Sequence, residues 1–175
     1  MEALRGLYAG LRLKVNESKS AVARPWNRKF LGYSFWVAKG GEVKRRVAPK
    51  ALAKMKIRIR QITSRNGGKS MTWVAAELRG YLMGWKEYFQ LADTPGIFCD
   101  LDGWIRRRLI TVQLKQWKRG TTAYPKLRAR GVPERVAKAA ATHVQRWWRT
   151  AAHGALKTAF PISYFDRLGV PRLAA

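Results

Sequence analysis

Apolar residues in the middle of the chain recur at a helical period. Between residues 49 and 66, Leu52, Met55, Ile59 and Ile62 form one stripe, while Lys54, Arg58 and Arg65 gather on another face. Asn66-Gly67 offers a left-handed stop for this helix. Ser70 is placed to cap a second helix, whose stripe of Met71, Val74, Leu78, Tyr81, Leu82, Trp85 and Phe89 continues to the next break. Gly80 and Gly84, one turn apart on it, leave room for a neighbouring backbone. Asp93-Thr94-Pro95 reads as a cap followed by a first-turn proline, opening a third helix with Phe98, Leu101, Ile105, Leu109 and Val112 inward. Connections this short make neighbours antiparallel, so the pattern predicts a three-helix bundle.

The flanks read differently. Residues 2–12 carry Leu4, Leu7, Tyr8 and Leu11 on one side, like the last turns of a helix, so the chain is expected to begin inside a domain. LKVNESKSAV, KFLGYSFWVA and EVKRRVAP then alternate as short strands, with a hairpin at Gly40-Gly41. Beyond Trp117 come a short basic segment up to Gly131, a helix from Pro133 to about Thr150, and a last short helix near Ser163–Leu168 that ends at Gly169. The expected fold is mainly α: a three-helix bundle, a small N-terminal β-hairpin and short C-terminal helices. Its divisions are residues 1–48, 49–120 and 121–175.

Charge changes the picture from a generic bundle to a polyanion-binding one. The chain of 175 residues carries 36 Lys and Arg against 10 Asp and Glu, a formal charge of +26. Residues 1–50 hold 12 cations against 3 acids, 51–120 hold 14 against 5, and 121–175 hold 10 against 2. The excess therefore belongs to the folded body rather than to a basic tail, and a polyanion is the partner that relieves it. Eight Trp, six Tyr and six Phe lie among these cations. Such rings serve as core and also as stacking faces for unpaired bases, as Trp147-Trp148 in QRWWRT could. The single cysteine, Cys99, excludes an internal disulfide and is expected to be a buried, inert thiol. His143 and His153 have no Cys or carboxylate at ligand spacing, so no metal site is expected. No apolar run reaches the roughly 18 residues of a membrane span. The expected location is the cytoplasm, without a membrane partner.

The motifs add a family. LKVNESKS (Leu13–Ser20) resembles an L-K-L-N-x-x-K-T block, and KFLGYSF (Lys29–Phe35) resembles the F-L-G-F/Y block that follows it, in the group II intron-encoded reverse transcriptase/maturases. ITSRNGGKS, ELRGYLMGWKEYF and LDGWIRRRLITVQLKQWKR resemble that family's maturase signature, with Trp73 replacing the acidic residue that would complete a capping box with Ser70. The resemblance covers nearly the whole chain. It implies that residues 1–48 are the end of the polymerase palm, that 49–120 are the thumb and maturase-specific domain, and that 121–175 are a helical extension of the maturase region. It implies that Lys19 sits near nucleotide phosphates and that Phe30, Leu31, Gly32 and Tyr33 form a primer grip. It puts RNA binding on the basic positions of the block: Lys54, Arg58, Arg65, Lys69, Arg106, Arg107, Arg108, Lys115, Lys118 and Arg119. Arg106, Arg107 and Arg108 are successive on a helix, so at most two can face one RNA backbone.

One departure bears on activity. The family's polymerases need carboxylates, including a paired-aspartate loop, to hold two Mg²⁺ ions, and this sequence has no Asp-Asp pair. No catalytic residue and no cofactor of its own are expected, Mg²⁺ belonging to full-length polymerases. Asp93, Asp100 and Asp102 read as structural acids around a helix start. The resemblance implies a partner in group II intron RNA, with template-primer or target DNA as further candidates, and a role in intron RNA folding and splicing. Two other readings stay open: a truncated, inactive remnant of an intron protein, and a general basic DNA-binding protein. If residues 1–48 evolved to pack on a palm sheet, they are the weakest part of the fold, with Phe30, Leu31, Tyr33, Phe35 and Trp36 exposing apolar surface.

Overall fold

The computed structural model describes residues 2–14, 16 and 22–174. The order of elements is helix α1 (Glu2–Gly10), a 3-10 turn (Pro25–Asn27), strands β1 (Lys29–Phe30), β2 (Tyr33–Val37) and β3 (Val43–Val47), and helices α2 (Pro49–Ile62), α3 (Met71–Phe89) and α4 (Pro95–Trp117). Five shorter helices follow: α5 (Gly120–Arg128), α6 (Glu134–Thr142), α7 (Trp147–Thr150), α8 (Gly154–Ala159) and α9 (Ile162–Arg167). The protein is mainly helical, with one small antiparallel sheet at its N-terminal end.

The three apolar stripes meet as their periodicity predicts. Met55, Ile59, Val74, Leu78, Leu82 and Leu109 have no exposed surface. Burying each such side chain is worth about 1.5–3 kcal/mol, so this seam is a large part of the stability of the chain. Ser70 caps α3, its Oγ accepting the Trp73 backbone N–H at 3.1 Å, despite the missing acidic partner. Gly80 and Gly84 correct an expectation: a Cβ added at either would meet nothing within 4 Å, so no backbone comes close there.

Helix α4 is central because it is covered on more than one side. Besides Leu101, Ile105, Leu109 and Val112, it buries Ile110, Thr111, Leu114 and Trp117. The extra face is taken by the C-terminal helices, and Leu127, Leu156, Phe160 and Phe165 join one continuous core with the bundle. Asp102 is buried in the third turn of α4 rather than at its start, and its carboxylate accepts the backbone N–H groups of Leu173 (3.0 Å) and Ala174 (3.1 Å). It pins the returning chain end. Cys99 is exposed, not buried, because this outer face of the first turns of α4 is left uncovered.

The strands depart from their simple reading. KFLGYSF is a hairpin in itself: Phe30 pairs with Tyr33, and Leu31 (φ +48°) and Gly32 (φ +80°) supply the two left-handed residues of a type I′ turn. A second hairpin turns at Gly40-Gly41, as expected, and pairs Val37 with Val43. Of the expected strand over residues 13–22, Leu13, Lys14, Asn16 and Val22 lie outside any strand and the rest falls outside the described residues. The sheet is tied to the bundle by apolar and polar contacts: Val47 of β3 is buried in the core, and the Tyr33 ring centroid lies 5.2 Å from that of Phe89. The Tyr33 hydroxyl donates to the Tyr88 carbonyl at 2.6 Å, and the Tyr88 hydroxyl donates to the Leu31 carbonyl at 2.9 Å. Asp93 does not cap α4. Its carboxylate instead accepts the Arg45 backbone N–H at 2.8 Å and the Arg45 guanidinium, and its own N–H donates to the Arg45 carbonyl.

The C-terminal pattern is more broken than its sequence suggests. The basic segment before Gly131 is helix α5, and the single helix expected from Pro133 splits into α6 and α7. At the break the Thr150 hydroxyl donates to the His143 carbonyl at 2.8 Å, satisfying a group that a continuous helix would have used. Among the described residues no helix is long and apolar enough to cross a membrane.

Candidate nucleic-acid interface

The loop between α2 and α3 builds the site. Thr63 ends α2 with its hydroxyl donating back to the Ile59 carbonyl at 2.6 Å. Asn66-Gly67 is not the left-handed stop; Gly68 takes that conformation, at φ +61°. Helix α4 makes the stop a tertiary event. The Arg108 guanidinium donates to the Thr63 hydroxyl (3.0 Å), the Thr63 carbonyl (3.1 Å) and the Arg60 carbonyl (3.4 Å), filling the acceptor ends of α2. The Gln116 side-chain amide holds the far end of the loop by donating to the Lys69 carbonyl at 3.0 Å.

With both ends fixed, the loop faces the last turns of α4 across a concavity of about 530 Å³. Arg65 and Lys69 line it from the loop, Lys115 from α4 and Lys118 from the residue just after it, and no acid is among its lining residues. Aromatic rings steady these cations. The Trp147 ring lies 4.8 Å from the Arg65 guanidinium and 4.5 Å from the Lys115 ammonium, and the Trp73 ring lies 3.6 Å from the Lys69 ammonium. A cation over a ring face gains about 0.5–2 kcal/mol and keeps its charge. The groove is therefore a fixed array of positive charge suited to phosphate oxygens.

The other basic positions separate by role. Lys54 and Arg58 stand exposed on α2 and Arg119 before α5, outside the groove lining. Arg107 donates twice to the Trp148 carbonyl, at 3.1 and 2.8 Å, and stacks 4.0 Å from the Trp148 ring centroid. Arg108 lies half-buried behind the loop, where desolvation first, then Arg65 and Arg60, hold its pKa below the ordinary arginine value; it remains a cation. Arg106 faces a different hollow. The three successive arginines thus divide between fold and surface, as 100° steps around a helix demand. Both tryptophans of the QRWWRT doublet lie against cations of this chain.

At the other end of the molecule, Phe30 and Leu31 are each 65% exposed at the tip of the first hairpin. Gly32 sits against the Phe89 ring, where an added Cβ would come within 3.2 Å, and Tyr33 is half-buried beside it. Lys19 lies outside the described residues. Among the described residues, no group of three or more His, Cys, Asp or Glu side chains is placed to hold a metal ion.

Sequence reasoning missed Gln116 and Thr63 as parts of this site and offered Trp147 only as a ring that could stack on bases, not as a partner of Arg65 and Lys115. Each is brought in by packing between segments distant along the chain, and only the Trp-Trp doublet gave a local signal. No individual curated protein matches the chain. Residues 52–131, which contain every side chain lining the groove, match the family model described as the group II intron, maturase-specific domain, and this match supports a group II intron maturase role in intron splicing.

Proposed function

We propose that the chain binds group II intron RNA through the groove between the Arg65–Ser70 loop and the end of α4, stabilising the folded RNA for splicing. The observation that carries this reading is the convergence of Arg65, Lys69, Lys115 and Lys118 on one acid-free concavity, inside the segment that matches the maturase-specific domain. Phosphates of converging RNA strands are neutralised there by cations held on the α2–α3 loop and at the end of α4, which fixes register and orientation without reading sequence. In a longer polymerase context, the exposed Phe30 and Leu31 on a hairpin clamped to α3 suit a grip on template-primer, with target DNA as a further partner. The chain alone contributes binding rather than nucleotidyl transfer, since its sequence offers no paired aspartates for two Mg²⁺ ions.

Filter binding to intron RNA across a salt series tests the proposal. If about 6–10 phosphates are neutralised, the log–log slope has a magnitude of roughly 4–8. The double variant Lys69→Gln/Lys118→Gln should reduce that slope by about 2. A slope near zero would refute the groove as the determinant, and equal affinity for random duplex DNA at the same salt would favour a general DNA-binding protein. Primer extension with Mg²⁺ should not exceed a no-protein control.

A further inference from the structure

A second hollow, of about 640 Å³, opens between α4 and the C-terminal helices and shares no lining residue with the basic groove. Its volume falls in the roughly 300–1,000 Å³ range of ligand pockets. Its chemistry differs from that of the groove. Ile110 and Phe160 are buried and give it an apolar interior wall, and Trp104 and the 44%-exposed Ile162 extend that wall outward. Arg106, Arg107 and Lys157 add positive charge, and no acid is among the lining residues.

These cations are not equally available. Arg107 is committed to the Trp148 carbonyl. Asp166 lies close enough to Arg106 to feel its charge, but its carboxylate is already paired with Arg172. Lys157 is exposed at the edge. Two charges are thus left beside an aromatic and aliphatic wall. A phosphate alone would leave that wall wet, and an apolar side chain alone would leave the cations without a counter-charge. A nucleotide satisfies both, because every base has a π face and every nucleotide a phosphate.

We infer that this hollow takes one unpaired nucleotide extruded from an RNA helix, its base against Trp104 and Ile162 and its phosphate on Arg106 and Lys157. The inference rests on the RNA-binding reading above and adds to it a site that discriminates unpaired from paired RNA. The basic groove gives affinity for backbone; this pocket gives preference for a bulge or an open loop.

The test uses the full chain and three RNA hairpins with the same stem: fully paired, carrying a single-nucleotide bulge, and carrying an abasic bulge. At one salt concentration the bulged hairpin should bind about 5- to 150-fold tighter than the paired one, the span expected for stacking one base on an aromatic side chain. The abasic bulge should bind like the paired hairpin. Trp104→Ala and, at an exposed position that spares the fold, Ile162→Glu should each remove the preference while leaving paired-hairpin affinity within about twofold. Equal binding of all three hairpins by the unaltered chain would overturn the pocket and leave the groove standing. A preference that survives both variants would overturn it too. Failure to bind any of the hairpins would overturn the RNA-binding reading and the pocket with it.

Discussion

The helical bundle and the N-terminal sheet are rich in the same apolar residue types and use them in opposite ways. In α2, α3 and α4 the stripe residues meet one another, and Met55, Ile59, Leu78 and Leu109 are fully buried. In the sheet, Phe30, Leu31, Trp36 and Val37 stay exposed, and so do Leu7 and Tyr8 of α1 and Leu11 just after it. Three helices can each turn one stripe toward a common axis, whereas a small sheet has two faces and an edge to cover, and the end of α3 and the Pro25–Asn27 turn cover them in part. The sheet's attachment accordingly combines the buried Val47 with oriented hydrogen bonds: the reciprocal pair of Tyr33 and Tyr88, and the carboxylate–guanidinium contact of Asp93 with Arg45. Stability sits in the bundle and position in the straps. Phe35 and Tyr33, both half-buried, qualify the expectation that the sheet's rings would all be exposed.

The largest effect should come from the seam. Leu78→Ala should destabilise the chain by about 2–5 kcal/mol, while Phe30→Ala, on an exposed tip, should change stability by less than about 0.5 kcal/mol. Chemical denaturation followed by circular dichroism measures both, and comparable losses would erase the distinction between the two regions.

A smaller effect is expected at Arg108. Arg108→Ala empties the acceptor ends of α2 and should cost about 1–3 kcal/mol, with weaker RNA binding as an indirect result of a loosened loop. Unchanged stability with a direct loss of RNA affinity would return this residue to the RNA-facing group.

The smallest effect separates the sheet without melting the helices. Asp93→Asn combined with Tyr88→Phe should speed hydrogen exchange in β2 and β3 and leave Leu78 and Ile105 protected. Acid should imitate it. Hydrogen bonding to the Arg45 side chain, then to its backbone N–H, holds the Asp93 carboxyl below the ordinary aspartate value. A depressed folded pKa stabilises above the unfolded value, about 3.9, and that contribution is lost as pH falls through the lower folded one. Protection at β3 should therefore fall below pH about 3.9, ahead of the bundle. Loss of both regions together would mean that they unfold as one unit.

How much of this was legible beforehand depends on the range of the forces involved. Amphipathic stripes, the Ser70 cap, the glycine-pair hairpin and the charge excess are local or compositional, and the sequence by itself determined them: a mainly helical, strongly basic chain with a maturase-like central block. What turned on contacts between distant segments could not be read. Asp93 looked like a helix cap and became a strap, because Arg45 offers it both a backbone N–H and a guanidinium. Asp102 looked like a helix-start acid and became the anchor of the chain end. Arg108 reads in the sequence as one more basic position of the block, and its hydrogen bonds to the end of α2 come only from packing between distant segments. Cys99 looked buried, but periodicity tells which face a residue shares and not which faces find a partner. The groove is the sum of these decisions. Its four cations are spaced over more than fifty residues of sequence, and only the packing of the α2–α3 loop against α4 sets them around one concavity, since a helix fixes the direction of its own side chains but not what stands opposite them.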